Sequence, residues 1–279
     1  MTNTMRAVGL AIALLVGGKS FAADPAAIER GKYLTTIGIC SGCHTPTDQS
    51  GKRIEAMRFA GGGKAGGLNT PNLTPDPETG LGKWTEDQIV EALRNGKRPD
   101  GGPVRPPMGV FFYRALSDSD ARAIAAYLLS LPPVSNKVER SASTAPLPTY
   151  EPVTHVAEPN RADKLAYGEY IGKTVAHCLQ CHTPRVNGLP DLSRAGGGGN
   201  SYNAPGGGSV VAANITPGNA DGIAKWTDDQ LKAVITKGVR PDGSHLVGVM
   251  EFDRYAAFTP EDLDMLAGFL RSLKPVAMK

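Results

Sequence analysis

The sequence predicts an all-α protein made of two tandem helical domains with irregular loops rich in glycine and proline. Three observations lead to this prediction: an internal repeat, the same helix-start signals in both copies of the repeat, and 34 glycines and 22 prolines among 279 residues. The length allows two domains of ordinary size. Aromatic residues make up only 6% of the chain, which is typical of small domains with modest hydrophobic cores.

The internal repeat is visible in three pairs of segments that share an offset of 142 residues, as from Trp84 to Trp226. They are Asn72–Pro75 with Asn214–Pro217, Lys83–Gln88 with Lys225–Gln230, and Arg98–Gly101 with Arg240–Gly243. Recurrence of this kind indicates two copies of one structural unit. Two cysteine motifs, at Cys40 and Cys178, have an offset of 138. The second copy therefore carries four extra residues, which we place between Gly196 and Gly208.

Each copy contains signals for three helices. The first helices should cover about residues 26–35 and 161–173. The middle helices begin at Thr85 and Thr227, where a glutamine three residues later completes a capping box, and they end at Gly96 and Gly238. The last helices begin at Ser117 and Thr259. Their apolar residues recur at helical spacing: Ile124, Tyr127, Leu128 and Leu131, then Leu263, Leu266, Phe269 and Leu270.

The domain boundaries follow from composition. Residues 1–22 are expected to be an export signal. Arg6 precedes a short apolar run, and Ser20 and Ala22 supply the small residues of a cleavage site. The alternative is an uncleaved anchor, although the run is too short to span a bilayer. The domains should then cover residues 23–135 and 160–279, with a proline-rich interdomain strap at residues 136–159. No membrane span is expected in the mature chain.

The net charge of the mature chain should be close to zero. Arg6 and Lys19 would leave with the signal, which leaves basic and acidic residues almost balanced, against a formal charge of +3 for the whole sequence. A nearly neutral surface argues against nucleic acid as a partner.

The chemistry is expected at Cys40-Ser41-Gly42-Cys43-His44 and Cys178-Leu179-Gln180-Cys181-His182. Two cysteines separated by two residues and followed by histidine form the spacing that attaches a c-type haem. Two disulfides and a redox-active cysteine pair are alternatives, but neither requires a histidine after each pair. A zinc site is a third alternative, but the two pairs lie 138 residues apart, in separate copies of the repeat. We therefore expect two covalently bound haem c groups, with His44 and His182 as proximal iron ligands.

The second axial ligand should be methionine in both copies. Met108 and Met250 share the offset of 142, and each lies in a loop 24 residues after its tryptophan. A thioether at this position raises the reduction potential and closes the iron to substrates. Both could instead be loop hydrophobes retained by duplication. His245 is a rival to Met250, although it aligns with Pro103.

Other candidate residues have weaker signals. Trp84 and Trp226 are expected to fill the core rather than to bind haem propionates, and Tyr113 and Tyr255 could pack near the haem. His155 should be solvated, and His177 should have a surface or propionate-side role rather than ligate iron. Of the remaining methionines, Met1 and Met5 would leave with the export signal, and Met265 lies in the core stripe of a helix. Met57 and Met278 have no counterpart in the other copy.

These motifs resemble those of tandem class I c-type cytochromes. The resemblance covers about residues 26–131 and 161–273, and it is closest to dihaem and multihaem cytochromes such as the cytochrome subunits of bacterial alcohol and gluconate dehydrogenases. It implies that His44 and His182 are proximal ligands and that Met108 and Met250 are distal ones. The sequence differs from those subunits because it has two haem motifs where they carry three. It also lacks an evident carboxyl-terminal membrane helix.

The function that follows is electron transport, and we predict no catalytic residues. A periplasmic carrier would take electrons from a dehydrogenase, in some cases as its cytochrome subunit, and pass them to an oxidase or a small cytochrome. The rival is a dihaem enzyme of the peroxidase or thiosulfate-oxidising type, with one open or unusually ligated iron. The paired methionines and the lack of a fifth cysteine argue against that enzyme. A sensor or structural haem protein is a third class, but no signalling module accompanies the domains.

Overall fold

The computed structural model describes residues 24–143, 147–204, 207–218 and 223–277. The expected export signal at residues 1–22 and Met278 lie outside the described residues. Within them the α-helices are α1 Pro25–Ile37, α2 Cys40–Cys43, α3 Glu86–Asn95, α4 Val110–Tyr113, α5 Asp118–Ser130, α6 Lys164–Glu169, α7 Cys178–Cys181, α8 Asp228–Lys237, α9 Phe252–Tyr255 and α10 Pro260–Ser272. None of the helices in these ranges is long and apolar enough to cross a bilayer.

The prediction of an all-α fold is wrong. Helices of all types account for only about 38% of the described residues, and three small antiparallel sheets accompany them. The paired strands are β1 Lys64–Ala65 with β2 Leu68–Asn69, β3 Arg185–Val186 with β4 Leu189–Pro190, and β5 Ser201–Asn203 with β6 Ser209–Val211. Asn187 and Gly188 both have positive φ and close the second hairpin. Strands this short show no hydrophobic alternation, so the sequence pattern did not reveal them.

The predicted helix signals in the middle and at the end of each copy are confirmed. Thr85 and Thr227 form complete capping boxes, and Gly96 and Gly238 end their helices at positive φ. The last helices begin directly after Ser117 and Thr259, whose hydroxyls cap them, and the second has Pro260 at its first position.

Each copy is built around one close helix crossing. Helix α1 crosses α5 at Gly31, where an added Cβ would lie 1.9 Å from the carbonyl oxygen of Ala123. Helix α6 crosses α10 at Gly168, where an added Cβ would lie 2.1 Å from the carbonyl oxygen of Met265. Both distances are far inside van der Waals contact, so the backbones can approach this closely only because both residues are glycine.

The first helix of the second copy contains one extra residue. Gly31 and Gly168 are equivalent at an offset of 137, whereas Cys40 and Cys178 are equivalent at 138. The extra residue lies in a π-helix, Tyr170–Val175, which continues directly from α6. A π-helix accommodates a single insertion inside a helix without changing the residues on either side.

The interdomain strap packs along the first copy. Asn136 donates from Nδ2 to the carbonyl of Ala60 at 2.8 Å, and the N–H of Val153 donates to Asn95 Oδ1 at 2.8 Å. His155 is exposed, as expected, and its Nδ1 lies 2.5 Å from Asp118 Oδ2. The described part of the strap is therefore held to the domain by polar contacts along its length.

The two copies share one continuous core and a buried polar interface. Across that interface Tyr33 donates to Asp262 Oδ2 at 2.6 Å, and Tyr170 donates to Asp120 Oδ2 at 2.7 Å. Asp120 and Asp262 are equivalent in the repeat, and they are only 2% and 1% exposed. The first helix of each copy thus binds a buried aspartate at the start of the last helix of the other.

Candidate haem centres

Each cysteine motif folds into one short helical turn. We call residues 40–44 attachment turn 1 and residues 178–182 attachment turn 2. In both, the histidine N–H donates to the carbonyl of the first cysteine, at 3.0 Å and 3.1 Å. The residue before each turn, Ile39 or His177, has a positive φ. This kink separates the turn from the preceding helix and presents two thiols and one imidazole together.

The two histidines are held in the same way. His44 donates from Nδ1 to the carbonyl of Pro71 at 2.9 Å, and His182 donates from Nδ1 to the carbonyl of Ala213 at 2.7 Å. Such a bond fixes the ring and leaves Nε2 for a metal. Burial lowers the pKa of both imidazoles, despite the carbonyls that raise it. The neutral form, which binds metals, is therefore favoured.

The four cysteines are free, so the disulfide alternative is wrong. Burial raises the pKa of the Cys40 and Cys178 thiols to about 12, which keeps them protonated at neutral pH. The described residues contain no group of three or more histidine, cysteine or acidic side chains placed to hold a metal ion. Two thiols beside one imidazole with an available Nε2 fit the needs of a covalently attached haem, and these residues would hold it.

The two methionines lie in equivalent turns. We call residues 105–109 and 247–251 methionine turns 1 and 2. The N–H of Met108 donates to the carbonyl of Arg105 at 3.1 Å, and that of Met250 to Val247 at 3.3 Å. Both side chains are half-buried against the hydrophobic core. Sequence equivalence is thus matched by equivalent local structure.

A tyrosine ties each methionine turn to the attachment turn of its own copy. Tyr113 in α4 donates to the carbonyl of Gly38 at 3.4 Å, and Tyr255 in α9 donates to the carbonyl of Ala176 at 3.3 Å. Gly38 and Ala176 each lie two residues before the first cysteine of a turn. These tyrosines therefore have a positioning role, which the sequence suggested only as packing near the haem.

The geometry favours Met250 over His245. His245 is exposed and forms an isolated bridge with Val239, just as Pro103 does with Lys97 in the first copy. Its carbonyl accepts from Arg240 Nη1 at 2.9 Å. His245 is therefore part of the loop that precedes methionine turn 2.

Each attachment turn also contacts the methionine turn of the other copy. Gln180 donates from Nε2 to the carbonyl of Pro107 at 2.7 Å. Arg53 donates from Nε to the carbonyl of Gly42 at 3.1 Å, and its guanidinium pairs with the carboxylate of Glu251. Gly42 and Gln180 are equivalent at the offset of 138. The repeat thus has pseudo-twofold contacts that no local sequence signal indicates.

The remaining candidates are mostly structural. Trp84 and Trp226 are half-buried against the core, in line with the expected packing role, and Met265 is 4% exposed within it. His177 differs from its expected surface or propionate-side role. Its Nε2 lies 3.2 Å from the carbonyl oxygen of Gly38 in the other copy.

Comparison with known proteins finds cytochromes c among the relatives of this chain. Residues 28–132 match the family model for cytochrome c. The cytochrome c subunit of the quinone alcohol dehydrogenase of Gluconobacter oxydans is 29% identical, covering 97% of this chain and 59% of the relative. The gluconate 2-dehydrogenase cytochrome c subunit of Pantoea cypripedii is 27% identical, covering 94% and 64%. A diheme cytochrome c-type of Cereibacter sphaeroides is 28% identical, covering 96% and 97%.

The chain spans about three fifths of the length of these two dehydrogenase subunits, and nearly all of the diheme cytochrome. The first two relatives are named as cytochrome subunits, which supports the predicted electron carrier over a catalytic subunit. Residues 28–132 therefore match a cytochrome c domain, and over nearly its whole length the chain is similar to the cytochrome c subunits of bacterial dehydrogenases and to a diheme cytochrome c.

Proposed function

We propose that this protein is an electron carrier with two haem c groups, both ligated by histidine and methionine. Cys40 and Cys43 would attach the first haem and Cys178 and Cys181 the second. The observation that carries the proposal is that a complete donor set occurs twice. In each copy an attachment turn, a histidine fixed through Nδ1 and a methionine turn tied back by tyrosine lie in equivalent places.

When bound, each haem supplies an iron that accepts or releases one electron at a time. The protein contributes the ligands and their positions. His44 and His182 would bind iron through Nε2, and the Met108 and Met250 thioethers would occupy the opposite side. A thioether favours the reduced iron and excludes external ligands, which suits a carrier. The Met108 and Met250 side chains are half-buried against the hydrophobic core, which would limit access of water to a bound haem.

The location and partners belong to the same proposal. The protein would act in the periplasm, after removal of residues 1–22. Its donor would be a dehydrogenase and its acceptor an oxidase or a small cytochrome. The names of the related dehydrogenase subunits support such a donor. The diheme relative of nearly equal length supports a count of two haems. Complexes between redox partners of this kind usually have small interfaces and are transient.

Methionine ligation can be tested by substitution with an isosteric hydrophobe. We expect the wild-type protein to show two low-spin haems that do not bind carbon monoxide when reduced. Met108→Leu and Met250→Leu should each open one iron, so that half of the haem binds carbon monoxide and its reduction potential falls. Met57→Leu, which changes a methionine without a counterpart in the repeat, should behave as the wild type.

Two outcomes would contradict the proposal. Carbon monoxide binding by one haem of the wild-type protein would favour the dihaem enzyme, because an enzyme of that kind leaves an iron open. A pyridine haemochrome assay that gives fewer than two covalent haems per chain would remove the second site altogether.

A further inference from the structure

One histidine forms a hydrogen bond between the segments that contain the two attachment turns, residues 37–44 and 175–182, which we call the attachment segments. The carbonyl of Gly38 accepts a hydrogen bond from His177 Nε2 at 3.2 Å as well as from Tyr113 at 3.4 Å. Gly38 lies two residues before Cys40, and His177 lies directly before Cys178. The segments themselves also touch, since an added Cβ at Gly38 would lie 3.3 Å from the carbonyl oxygen of Val175.

This histidine has no counterpart in the first copy. The equivalent position is Ile39, which adopts the same left-handed backbone, with φ of 51° against 39° for His177. The carbonyl equivalent to Gly38 is that of Ala176, to which Tyr255 donates at 3.3 Å. An isoleucine has no group that could donate to this second carbonyl. The two copies therefore agree in backbone and tyrosine, and differ by one added polar bridge.

The backbone conformation and the ring position of His177 are both constrained. Its backbone conformation is unfavourable for a residue with a side chain, and such strain persists only where the surroundings fix it. The ring also packs edge-to-face against Tyr113, with centroids 5.5 Å apart and planes at 81°. A histidine constrained in this way keeps its Nε2 directed at one carbonyl.

We propose that His177 is a positioning residue that joins the two attachment segments and provides a bonded route between the cysteines of the two haem centres. The route runs from Cys178 through the His177 ring and one hydrogen bond to Gly38, and along the backbone to Cys40. The inference rests on the proposed two-haem function. The exchange it serves moves one electron from the reduced centre to the oxidised one, and no covalent bond forms or breaks.

The contacts around the route support a fixed arrangement. Gln180 of attachment turn 2 is bonded to Pro107, and Arg53 joins Gly42 of attachment turn 1 to Glu251. These pseudo-twofold contacts join the two copies without involving His177. Loss of His177 should therefore leave the two copies associated, while removing the bond that links their cysteine segments directly.

The test uses the complete haem-loaded protein in four forms, the wild type and three variants. His177→Ile gives the second copy the residue of the first, and His177→Gln keeps a side-chain N–H donor. His155→Ile removes an exposed histidine as a matched control. One centre is reduced by a radical pulse, and the rate of exchange with the other is followed optically. Reduction potentials and haem content are measured on the same samples.

We expect exchange to be several-fold slower in His177→Ile, largely restored in His177→Gln, and unchanged in His155→Ile. The potentials should remain near those of the wild type, because the axial ligands are intact. A wild-type exchange rate in His177→Ile with both haems present would overturn the inference alone. Fewer than two haems in the wild type would overturn the proposed function and the inference with it.

If His177→Ile fails to accumulate, the wild-type protein still allows a decision. The hydrogen bond to Gly38 should protect the His177 Nε2–H from exchange with solvent, and a nitrogen-15 spectrum of the imidazoles should show it. A rapidly exchanging or deprotonated Nε2 would overturn the proposed bridge.

Discussion

At the scale of single residues, the chemistry follows from groups that the sequence identifies and from partners that it does not. The cysteine motifs, Met108 and Met250 could be named from spacing and repeat offset. The carbonyls of Pro71 and Ala213, which fix the two histidines, could not be named, because backbone acceptors carry no sequence signal. His177 was misjudged for a related reason. Only the fold shows that its neighbour is the other copy.

Asp118 should make stability depend on pH. A hydrogen bond from the buried Arg94 lowers the pKa of Asp118 to about 2, and the N–H of Val156 and His155 add to this. The ordinary pKa of aspartate is about 3.9. A carboxyl whose pKa is lowered on folding stabilises the protein above its unfolded pKa, and this contribution is lost as the pH falls through the folded value.

Asp118→Asn should therefore be destabilised at pH 7, and its difference from the wild type should shrink as the pH falls from about 4 to about 2. Urea unfolding at a series of pH values measures it. Asp253→Asn, at an exposed position of α9, serves as the control. A difference that stays constant over this range would show that the ion pair does not contribute as described.

At the scale of elements, the sequence predicts what depends on local signals. The capping boxes at Thr85 and Thr227 and the glycine ends of their helices are local, and they were predicted correctly. The hairpins and the short helices α4 and α9 were missed because each has only two to four residues. The π-helix was missed because its cause is a one-residue difference in offset, 137 against 138, which no composition or periodicity reveals.

The helix crossings predict that alanine in place of glycine at either crossing destabilises the protein. Gly31→Ala and Gly168→Ala should each lower the free energy of unfolding by about 1–3 kcal/mol, the usual cost of overpacking, because the new methyl would overlap a backbone carbonyl. Gly268→Ala is the matched control within α10, since its Cβ would meet no atom within 4 Å.

For the control we expect stabilisation of about 0.5–1 kcal/mol, as alanine is favoured over glycine inside helices. Denaturant titration of the three variants measures the differences. Equal effects at all three positions would mean that the crossings tolerate a side chain, and that the close approach of the helices is not what these glycines provide.

At the scale of the whole molecule, the two copies pack against each other and share one hydrophobic core. The repeat predicted two similar units, but it gave no information about how they meet. The interface depends on long-range pairs such as Tyr33 with Asp262 and Tyr170 with Asp120, more than a hundred residues apart for the first pair and fifty for the second. Asp120 and Asp262 lie at the starts of the last helices, where no local sequence signal indicates their partners in the other copy.

The interface should be more sensitive to loss of Arg30 than of Arg161. Arg30 forms a bidentate pair with Asp120 of its own copy, with both N–O distances 2.8 Å, and its Nη2 also donates to Tyr167 of the other copy at 3.1 Å; its side chain is 27% exposed. Arg161 reaches Asp262 through Nη2 at 2.8 Å and is 45% exposed. Arg30→Met should cost about 3 kcal/mol, because it leaves a buried carboxylate without its cation. Arg161→Met should cost less, since solvent screens that pair more.

Guanidinium unfolding of the haem-loaded variants, followed by circular dichroism, measures both costs. Loss of Arg30 should also broaden or split the transition, because Arg30 donates to Tyr167 of the other copy and pairs with the carboxylate that accepts from Tyr170 of that copy. An Arg30→Met variant as stable as the wild type would show that Arg30, through Asp120 and Tyr167, does not stabilise the interface.

The most direct test of the account is a crystal structure of the purified, haem-loaded protein. We predict two haems, one joined by thioethers to Cys40 and Cys43 and the other to Cys178 and Cys181. Each iron should lie between a histidine Nε2, from His44 or His182, and the sulfur of Met108 or Met250. An iron without a sulfur ligand in either copy, or a single haem per chain, would contradict the account.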